Sequence, residues 1–327
     1  MLFPVEPLPK LVGIARLAAS GELLEAKRVV EYIDLPTRRF LNRTTPRMPF
    51  RWTINPYRGC EFGCKYCYAR YTHEFMELTP EAFEDRIYAK QFSAPCFRAE
   101  LRRVPPRDAI AIGTATDPYQ PAERRFGLTR EILLVFAGEK GRYLSITTKS
   151  DLVLRDVELL REIARGNRVH VNITITTLDE PLARLLEPRA PRPTLRLDVV
   201  RGLSAAGIEV GVFPNPIMPF LTDSEDNLDA VAAAAKEAGA TFIGGGTLFL
   251  KPCARDIFLP FLEQHFPAAI PRYHELFDGR AFLRGAYAEE IKHRVRAVRA
   301  RHGLRDSPIE YAPEFDEPDP QGSLFVL

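Results

Sequence analysis

The sequence predicts an α/β fold with six parallel strands, and three observations lead to it. Between residues 50 and 250, short apolar runs alternate with segments that have helical spacing, which is typical of βα units. Six such runs are present. Each run ends in a polar loop, and loops at the carboxyl ends of parallel strands carry the functional groups of such folds. The pattern fits a doubly wound sheet as well as a complete or incomplete barrel.

The predicted elements follow one another regularly along this region. The apolar runs, each three to seven residues long, are Trp52–Ile54, Ala109–Ile112, Tyr143–Thr147, Val169–Ile175, Ile208–Phe213 and Thr241–Ile243. The helices predicted between them are Phe97–Arg103, Thr129–Gly138, Asp151–Arg165, Thr194–Ala206 and Glu225–Glu237.

The chain divides into four predicted segments. Residues 1–49 form a short N-terminal lead-in, within which residues 21–33 have the spacing of a helix. Residues 50–250 hold the six βα units and form the core. Residues 251–305 form a helical C-terminal extension, and residues 306–327 form a flexible tail because acidic residues and prolines dominate it. The helices expected in the extension are Ile257–His265, Ala269–Asp278 and Gly285–His302.

Composition narrows the class of protein. Lys and Arg number 45 and Asp and Glu 43, so the net charge is +2. A net charge this small argues neither for nor against a polyanionic partner. No apolar run has the length of a membrane span, and the N-terminus lacks the pattern of a leader. We therefore expect a cytoplasmic protein with no membrane partner. Five cysteines in 327 residues, three of them close together, do not match a secreted disulfide framework.

The segment NPYRGCEFGCKYCYAR, residues 55–70, contains three cysteines. They span eight residues and have the spacing C-x3-C-x2-C. A structural zinc site needs four ligands, usually from two short knuckles, and this loop supplies three. The candidate metal ligands of the loop are Cys60, Cys64 and Cys67. The candidates for a fourth zinc ligand are Cys96, Cys253 and His73.

Two other interpretations of the motif remain. A C-x-x-C redox pair explains neither Cys60 nor the glycines at positions 59 and 63. Those glycines suit a backbone that wraps closely around a bulky group and donates N–H groups toward sulfur. A cubane iron–sulfur cluster held by three thiolates fits best, and it leaves one iron open to a substrate or cofactor.

The segment CEFGCKYCY resembles the cluster motif of the radical S-adenosylmethionine (SAM) superfamily, in which an aromatic residue, here Tyr66, precedes the last cysteine. The chain is similar to the spore photoproduct lyase-like branch of that superfamily. The segments that carry this similarity are NPYRGCEFGCKYCYAR, TATDPYQPAE, ITTKSDLVLRDVELL and EPRAPRP.

The resemblance implies a partial (βα)6 TIM-like barrel with a [4Fe–4S] cluster on the three cysteines and SAM at the open iron. It implies that SAM is cleaved reductively to a 5′-deoxyadenosyl radical, which takes a hydrogen atom from the substrate. An external one-electron donor such as flavodoxin or ferredoxin is then an expected partner.

Side chains at the strand ends are predicted to bind the cofactor. Lys149 follows the third strand, where its ammonium is expected to meet the methionyl carboxylate; a lysine that merely starts a helix is the alternative. Tyr66 and Tyr68 are expected to lie against the adenine, although packing within the loop also explains them. Three residues alternate along the fourth strand and therefore share one face. This face is expected to bind the cofactor, and a polar interior layer without a ligand is the alternative. They are Asn172, Thr174 and Thr176.

Other polar groups are candidates for contact with the substrate. Asp117 and Tyr119 follow the second strand, with Tyr119 as a candidate radical relay. Cys253, after the sixth strand, is a second catalytic candidate, with an inert buried thiol as the alternative. Glu187 and Arg189 are expected to form an internal ion pair. The segment IAIGTATDPYQP contains no cysteine where the branch carries its hydrogen-donating thiol, so repair of thymine dimers is not implied.

Two segments bear on nucleic-acid binding. The basic segment KHRVRAVRARHGLR, residues 292–305, distributes its charges around a helix, which favours a solvated surface over phosphate binding. The terminal sequence QGSLF, Gln321–Phe325, resembles the peptide with which bacterial repair and replication proteins dock on the sliding clamp. DNA and the clamp are therefore candidate partners, and packing of this segment on its own domain is the alternative.

Three hypotheses of function follow. The first is a radical SAM enzyme that acts on a nucleic-acid base or DNA lesion. The second is a radical SAM enzyme that acts on a small molecule or peptide, and the third is a non-catalytic, zinc-bound nucleic-acid-binding module.

Overall fold

The computed structural model describes residues 11–21, 23–26, 30–45 and 48–308. Most of the expected tail, including Gln321–Phe325, lies outside the described residues. Within the described part of the chain, no helix is long and apolar enough to cross a bilayer.

Eleven strands are present in the described residues. They are β1 (Leu23–Ala26), β2 (Glu31–Leu35), β3 (Leu41–Arg43), β4 (Trp52–Ile54), β5 (Tyr57–Arg58), β6 (Arg86–Lys90), β7 (Ala109–Ile112), β8 (Tyr143–Thr148), β9 (Arg168–Thr174), β10 (Glu209–Phe213) and β11 (Phe242–Ile243).

The larger sheet has the strand order β11-β10-β9-β8-β7-β4-β3 and is not closed into a full barrel. Its six strands from β4 to β11 are parallel, and β3 is antiparallel to β4 at one edge. These six are the strands predicted from the sequence, so the α/β fold with a partial (βα)6 barrel is confirmed. Their carboxyl ends meet along one rim of the sheet.

Twelve α-helices, described over the same residues, surround the sheets. They are α1 (Gly13–Ala19), α2 (Tyr71–Glu74), α3 (Ala94–Leu101), α4 (Glu123–Phe126), α5 (Leu128–Ala137), α6 (Val157–Ala164), α7 (Glu180–Leu186), α8 (Pro193–Ala205), α9 (Glu225–Glu237), α10 (Pro252–His265), α11 (Ile270–Phe277) and α12 (Gly285–Arg301). The 3-10 turns are Tyr68–Arg70, Pro80–Glu84, Asp151–Asp156 and Pro267–Ala269.

The prediction of a helix over residues 21–33 is wrong. This segment contains β1 and the start of β2, which belong to a smaller sheet of order β1-β2-β6-β5. Strand β2 pairs in parallel with β6, where Tyr32 lies opposite Ile87. The distant pairing partner supplies the backbone hydrogen bonds that a local helix would otherwise make, and this overrides the helical spacing.

Two large apolar cores and two small ones are present among the described residues. The larger one lies between the main sheet and the helices, and includes Ile132, Leu160, Leu203 and Val231, all fully or almost fully buried. The second core joins the cysteine loop, residues 58–70, to α10 and α11 through residues such as Phe258. The helical extension therefore packs directly on the cysteine loop.

The basic helix α12 pairs with acidic groups of the barrel. The guanidinium of Arg301 lies 2.7 Å from Glu225 and 2.6 Å from Asp229 on α9. The guanidinium of Arg305, four residues after the end of α12, lies 2.7 Å from Glu209 on β10. These carboxylates already neutralise the cations, so the pairs attach the helix to the barrel rather than presenting an unbroken cationic face.

Candidate functional site

The cysteine loop leaves the carboxyl end of β4, at the rim where polar strand exits converge. Strand β5 in this loop pairs with β6, so the smaller sheet holds the start of the loop. Cys60 and Cys64 are buried and Cys67 is half-buried, and all three are free thiols. The loop thus presents three unoxidised sulfur donors at the active end of the fold.

Gly59 allows the loop to pass very close to its neighbour. Its φ is +83°, and a Cβ atom at this position would lie 2.7 Å from the carbonyl oxygen of Arg86 and 2.9 Å from that of Phe83. The amide of Cys60 donates to the same Phe83 oxygen at 2.9 Å. Since neither oxygen is the end of a flexible side chain, only glycine fits here.

Side chains from the loop after β7 fix the cysteine loop from the other side. Gln120 donates from Nε2 to the carbonyl of Gly59 at 3.0 Å, and its Oε1 accepts the amide of Glu61 at 2.9 Å. Thr116 donates to the same Gly59 carbonyl at 2.6 Å. Neither role was predicted from the sequence, although both residues lie within the segment TATDPYQP.

Arg70 is the third residue that holds the cysteine loop in place. This role was not predicted from the sequence. Its side chain is fully buried, and it donates to the carbonyl of Cys64 at 3.1 Å and to that of Pro80 at 2.8 Å. It also pairs with Glu84 at 2.5 Å. A buried guanidinium with these partners sets the path of the backbone between two of the cysteines.

The thiols are in an environment that disfavours negative charge unless a cation compensates it. Burial raises the pKa of Cys60 well above its usual range, and raises that of Cys64 to about 12 although Lys149 lowers it. Burial also raises the pKa of Cys67, although the nearby guanidinium of Arg70 lowers it in part. Binding of a cationic centre by the three thiolates would therefore release protons.

A buried charged cluster adjoins Cys64 and is centred on Glu187. The carboxylate of Glu187 accepts a hydrogen bond from the hydroxyl of Tyr66, and lies 2.5 Å from Arg196 and 4.0 Å from the ammonium of Lys149. Burial alone would raise the pKa of Glu187, but Arg196 and Lys149 outweigh it, so that the pKa is lowered. We call these four residues the Glu187 cluster.

Two sequence predictions concern this cluster. The predicted pair of Glu187 with Arg189 is wrong, because Arg189 instead lies 3.0 Å from Asp85, and Arg196 of α8 takes its place. Lys149 lies beside the cysteine loop, with its ammonium 5.8 Å from the ring centre of Tyr66, and its contact with the methionyl carboxylate stays a prediction. Burial alone would lower the pKa of Lys149. The nearby Cys64 and Glu187 outweigh burial, so the pKa is raised and the ammonium stays charged.

Asp117 connects two strand exits. Its carboxylate accepts the hydroxyl of Thr148 at 2.7 Å and the amides of Lys149 and Tyr119 at 2.8 and 2.9 Å. The side chain of Tyr119 itself is 1% exposed and packs in the larger apolar core. Burial and Asp156 raise the pKa of its phenol well above the usual range. These surroundings bury both residues in the fold, and the role of Tyr119 as a radical relay stays a prediction.

The fourth parallel strand, β9, turns a polar face away from the helices. Val171 and Ile173 belong to the larger apolar core. Because side chains alternate along a strand, Asn172 and Thr174 face the opposite way, toward the inside of the barrel. The side-chain amide of Asn172 donates to Ser145 at 3.0 Å and to Thr147 at 3.2 Å, both on β8. This agrees with the polar face expected from the sequence.

Two buried oxygens of this region have no hydrogen-bond partner among the described residues. They are Oδ1 of Asn172, which is 2% exposed, and Oγ1 of Thr176, which is 1% exposed. A buried polar atom without a partner is costly. Both atoms therefore suit a ligand that supplies the missing hydrogen bonds.

The remaining aromatic candidate, Tyr68, links the cysteine loop to the loop after β7. Its hydroxyl donates to the carbonyl of Thr114 after β7, and its ring stacks on Tyr71, with the ring centres 6.4 Å apart. Asn55 makes a second link there, because its side chain accepts the amide of Ala115 at 2.8 Å. The exits of β4 and β7 are thus joined next to the cysteines.

The other sulfur and imidazole candidates differ in their position relative to the three loop thiols, and among them Cys253 adjoins the Cys67 end of the loop. Cys96 is exposed on α3. His73 is buried with Nε2 3.0 Å from the carbonyl of Arg86. Cys253, at the start of α10, is 1% exposed, with its sulfur 4.0 Å from the carbonyl of Tyr68. Burial raises the pKa of Cys253 to about 11.

A cubane cluster fits the residues present. No group of three or more His, Cys, Asp or Glu side chains in the described segments has the arrangement for a metal ion. A cubane is larger than one ion, and it needs thiolates spread around it. The loop offers three free thiols within eight residues, a glycine that permits close wrapping, and two nearby cations, Arg70 and Lys149.

Comparison with known proteins extends these observations. The family model of the Radical SAM superfamily matches residues 54–232, more than half of the chain. An uncharacterized protein of Mycobacterium tuberculosis is 36% identical over 269 residues, which cover 82% of this chain and 79% of the relative. An uncharacterized protein of Methanocaldococcus jannaschii is 30% identical over 271 residues, which cover 80% and 92% respectively.

A solved structure has a similar fold. Spore photoproduct lyase, as a doubly substituted mutant with bound AdoMet and dinucleoside spore photoproduct, superposes with a TM-score of 0.62 at 15% identity. The match covers 83% of this chain and 79% of the lyase.

Proposed function

Because the chain belongs to the radical SAM superfamily and is a radical SAM enzyme, we propose that its cysteine loop holds a [4Fe–4S] cluster and that its substrate is a nucleic-acid base. The observation that carries the cofactor assignment is the ammonium of Lys149 beside Cys64, and the oxygens of Asn172 and Thr176 that have no hydrogen-bond partner add to it. Family membership argues against the non-catalytic zinc module.

The chain's residues have distinct tasks in this proposal. When bound, the cluster and SAM supply a 5′-deoxyadenosyl radical that takes a hydrogen atom from the substrate. Cys60, Cys64 and Cys67 ligate the cluster. Lys149 binds the carboxylate of SAM, since a buried ammonium attracts it strongly. Hydrogen-bond donors of the cofactor satisfy Oδ1 of Asn172, and Thr174 and Thr176 continue the same polar face.

Replacing Lys149 with methionine is expected to weaken SAM binding by at least about tenfold, because a charge-assisted hydrogen bond contributes roughly 1.5–3 kcal/mol. Methionine keeps much of the length of the side chain without its charge. The measurement is the SAM dissociation constant of the reconstituted protein by equilibrium dialysis. The matched control is Lys140→Met, an exposed lysine before β8, which should bind SAM as the wild type does. Equal affinity of both variants would remove Lys149 from the cofactor site.

The proposed substrate class is supported by a group of partly exposed rings next to the cysteine loop. Tyr68, Tyr71 and Phe75 follow the last cysteine, and Phe249 and Phe282 approach from the segments after β11 and before α12. Successive ring centres lie 5.4–6.4 Å apart. We call these five rings the aromatic surface.

Cations accompany these rings. The ammonium of Lys251 lies 3.9 Å from the ring centre of Tyr71, and the guanidinium of Arg284 lies 4.8 Å from that of Phe282. Phe75 is 55% exposed. Flat rings combined with cations match the bases and phosphates of a single strand, and the structurally similar lyase was solved with a dinucleoside. A small molecule or a peptide is the alternative substrate.

Replacing Phe75 with alanine is expected to weaken binding of a single-stranded oligonucleotide by about fivefold or more, because one stacked base contributes roughly 1–3 kcal/mol. Fluorescence anisotropy of a labelled oligonucleotide at two salt concentrations measures this loss. Leu134→Ala is the matched control, since Leu134 is 52% exposed on α5 and lies outside the aromatic surface. If Phe75→Ala binds as tightly as this control, or if the wild type does not bind, the nucleic-acid substrate is contradicted.

A further inference from the structure

Gln120 binds the peptide groups on both sides of Cys60. The residue is fully buried. Its side-chain nitrogen donates to the carbonyl of Gly59 at 3.0 Å, and its side-chain oxygen accepts the amide of Glu61 at 2.9 Å. One side chain therefore holds the peptide group before Cys60 and the peptide group after it.

Both N–H groups and the oxygen of the Gln120 side chain are engaged. The side-chain nitrogen also donates to the hydroxyl of Thr116 at 2.9 Å, and that hydroxyl donates to the carbonyl of Gly59 at 2.6 Å. Exchange of the nitrogen and oxygen of Gln120 would turn donors toward the amide of Glu61 and an acceptor toward the carbonyl of Gly59. The network thus permits one orientation. We call these hydrogen bonds the Gln120 clamp.

Three consecutive amides next to the sulfur of Cys60 have different acceptors. The amide of Cys60 donates to the carbonyl of Phe83 at 2.9 Å, and the amide of Glu61 donates to Gln120. The amide of Phe62 donates to the sulfur itself. Burial raises the pKa of Cys60 well above its usual range, and this hydrogen bond lowers it in part. Of the three amides, one is directed to the sulfur.

The number of N–H groups at the cysteine sulfurs affects an iron–sulfur cluster directly. Hydrogen bonds to the sulfurs and exposure to water both change its reduction potential. Each N–H group stabilises the negative charge that reduction adds, and so makes the potential less negative. Cys60 is 9% exposed and Glu61 is 4% exposed, so little water reaches this corner of the loop. A cluster held here is therefore hard to reduce, and once reduced it is a strong electron donor.

We propose that Gln120 is a positioning residue that keeps the reduction potential of the cluster low, by holding the amide of Glu61 away from the sulfur of Cys60. The inference rests on the proposed function, because it concerns the cluster assigned there to the three thiols. In this role Gln120 acts on the cluster only through the backbone of residues 59–61. A low potential increases the driving force for the reductive cleavage of SAM.

The test replaces Gln120 with methionine, which has a similar length and makes none of these hydrogen bonds. Hydrogen-exchange mass spectrometry should show faster exchange of the Glu61 amide. The reconstituted cluster should be reduced about tenfold more readily, a shift of about +59 mV for one electron, since a hydrogen bond to a charged group has an effect of this order. A redox titration followed by electron paramagnetic resonance measures the potential. Gln264→Met, at an exposed position of α10, is the control and should match the wild type.

Thr116→Val is the second variant, because valine keeps the shape of threonine and removes one of the two donors to the carbonyl of Gly59. Gln120 still holds the amide of Glu61 in this variant. The shift in potential should therefore have the same sign and be smaller. If Gln120→Met assembles no cluster, Thr116→Val is decisive, and a wild-type potential in it would overturn the inference.

Two results for Gln120→Met would also overturn the inference. One is a wild-type reduction potential together with faster exchange of the Glu61 amide, and the other is wild-type exchange of that amide. A wild-type protein that assembles no cluster from iron and sulfide would instead overturn the proposed function. The two failures are thus distinguishable.

Discussion

Replacing Cys64 with alanine abolishes assembly of the iron–sulfur cluster and with it the reductive cleavage of SAM. Cys64 is buried with two other thiols in one short loop. The further thiol near the loop, that of Cys253, lies beside the carbonyl of Tyr68, at the Cys67 end, so it does not take the place of Cys64. His73 is held by the carbonyl of Arg86, and Cys96 is exposed on a separate helix. The measurement is iron and sulfide content after anaerobic reconstitution, with 5′-deoxyadenosine formation as the second readout.

The matched control for this substitution is Cys96→Ala, which removes an exposed thiol far along the chain from the loop. This variant should keep the cluster and the wild-type yield of 5′-deoxyadenosine. Circular dichroism of both variants checks that the fold is retained. A Cys64→Ala protein that assembles a full cluster would show that the loop is not the ligand set.

Replacing Glu187 with alanine is expected to destabilise the protein by about 3–5 kcal/mol, the cost of removing one partner from a buried ion pair. Arg196 is 1% exposed, and without Glu187 its guanidinium and the ammonium of Lys149 would be two buried cations close together. The hydroxyl of Tyr66 would also lose its acceptor. Urea unfolding under anaerobic conditions measures the change in the free energy of unfolding.

Glu180→Ala is the control for Glu187→Ala, since Glu180 begins α7 and Glu187 directly follows it. Glu180 lies 3.8 Å from Arg192, and both side chains are exposed to solvent, so this pair contributes at most about 1 kcal/mol. If Glu187→Ala costs no more than Glu180→Ala, the Glu187 cluster does not stabilise the fold. The isosteric Glu187→Gln should fall between them, since an amide oxygen still accepts from Tyr66 while the charge is lost.

The parallel strands could be predicted because each is a short apolar run between segments of helical spacing. That pattern is local, and β4 and β7 appear with the bounds read from the sequence. The lead-in could not be predicted in the same way. Residues 31–35 become a strand because they pair with β6, more than fifty residues later, and no local spacing reports a distant partner.

The site shows the same division between local and distant information. The three cysteines were identifiable from their spacing, and Lys149 from its place after a strand. Arg196 was not identified as the partner of Glu187, because only the packing of α8 against the barrel brings them to 2.5 Å. The aromatic surface likewise joins Tyr71, Phe249 and Phe282, which are remote in sequence.

The most direct test of the cofactor assignment is anaerobic reconstitution of the wild-type protein with iron and sulfide, followed by reduction in the presence of SAM. A [4Fe–4S] cluster on Cys60, Cys64 and Cys67 predicts about four iron and four sulfide ions per chain, with 5′-deoxyadenosine and methionine as products. A chain that takes up stoichiometric zinc, gains no iron and leaves SAM intact would contradict it.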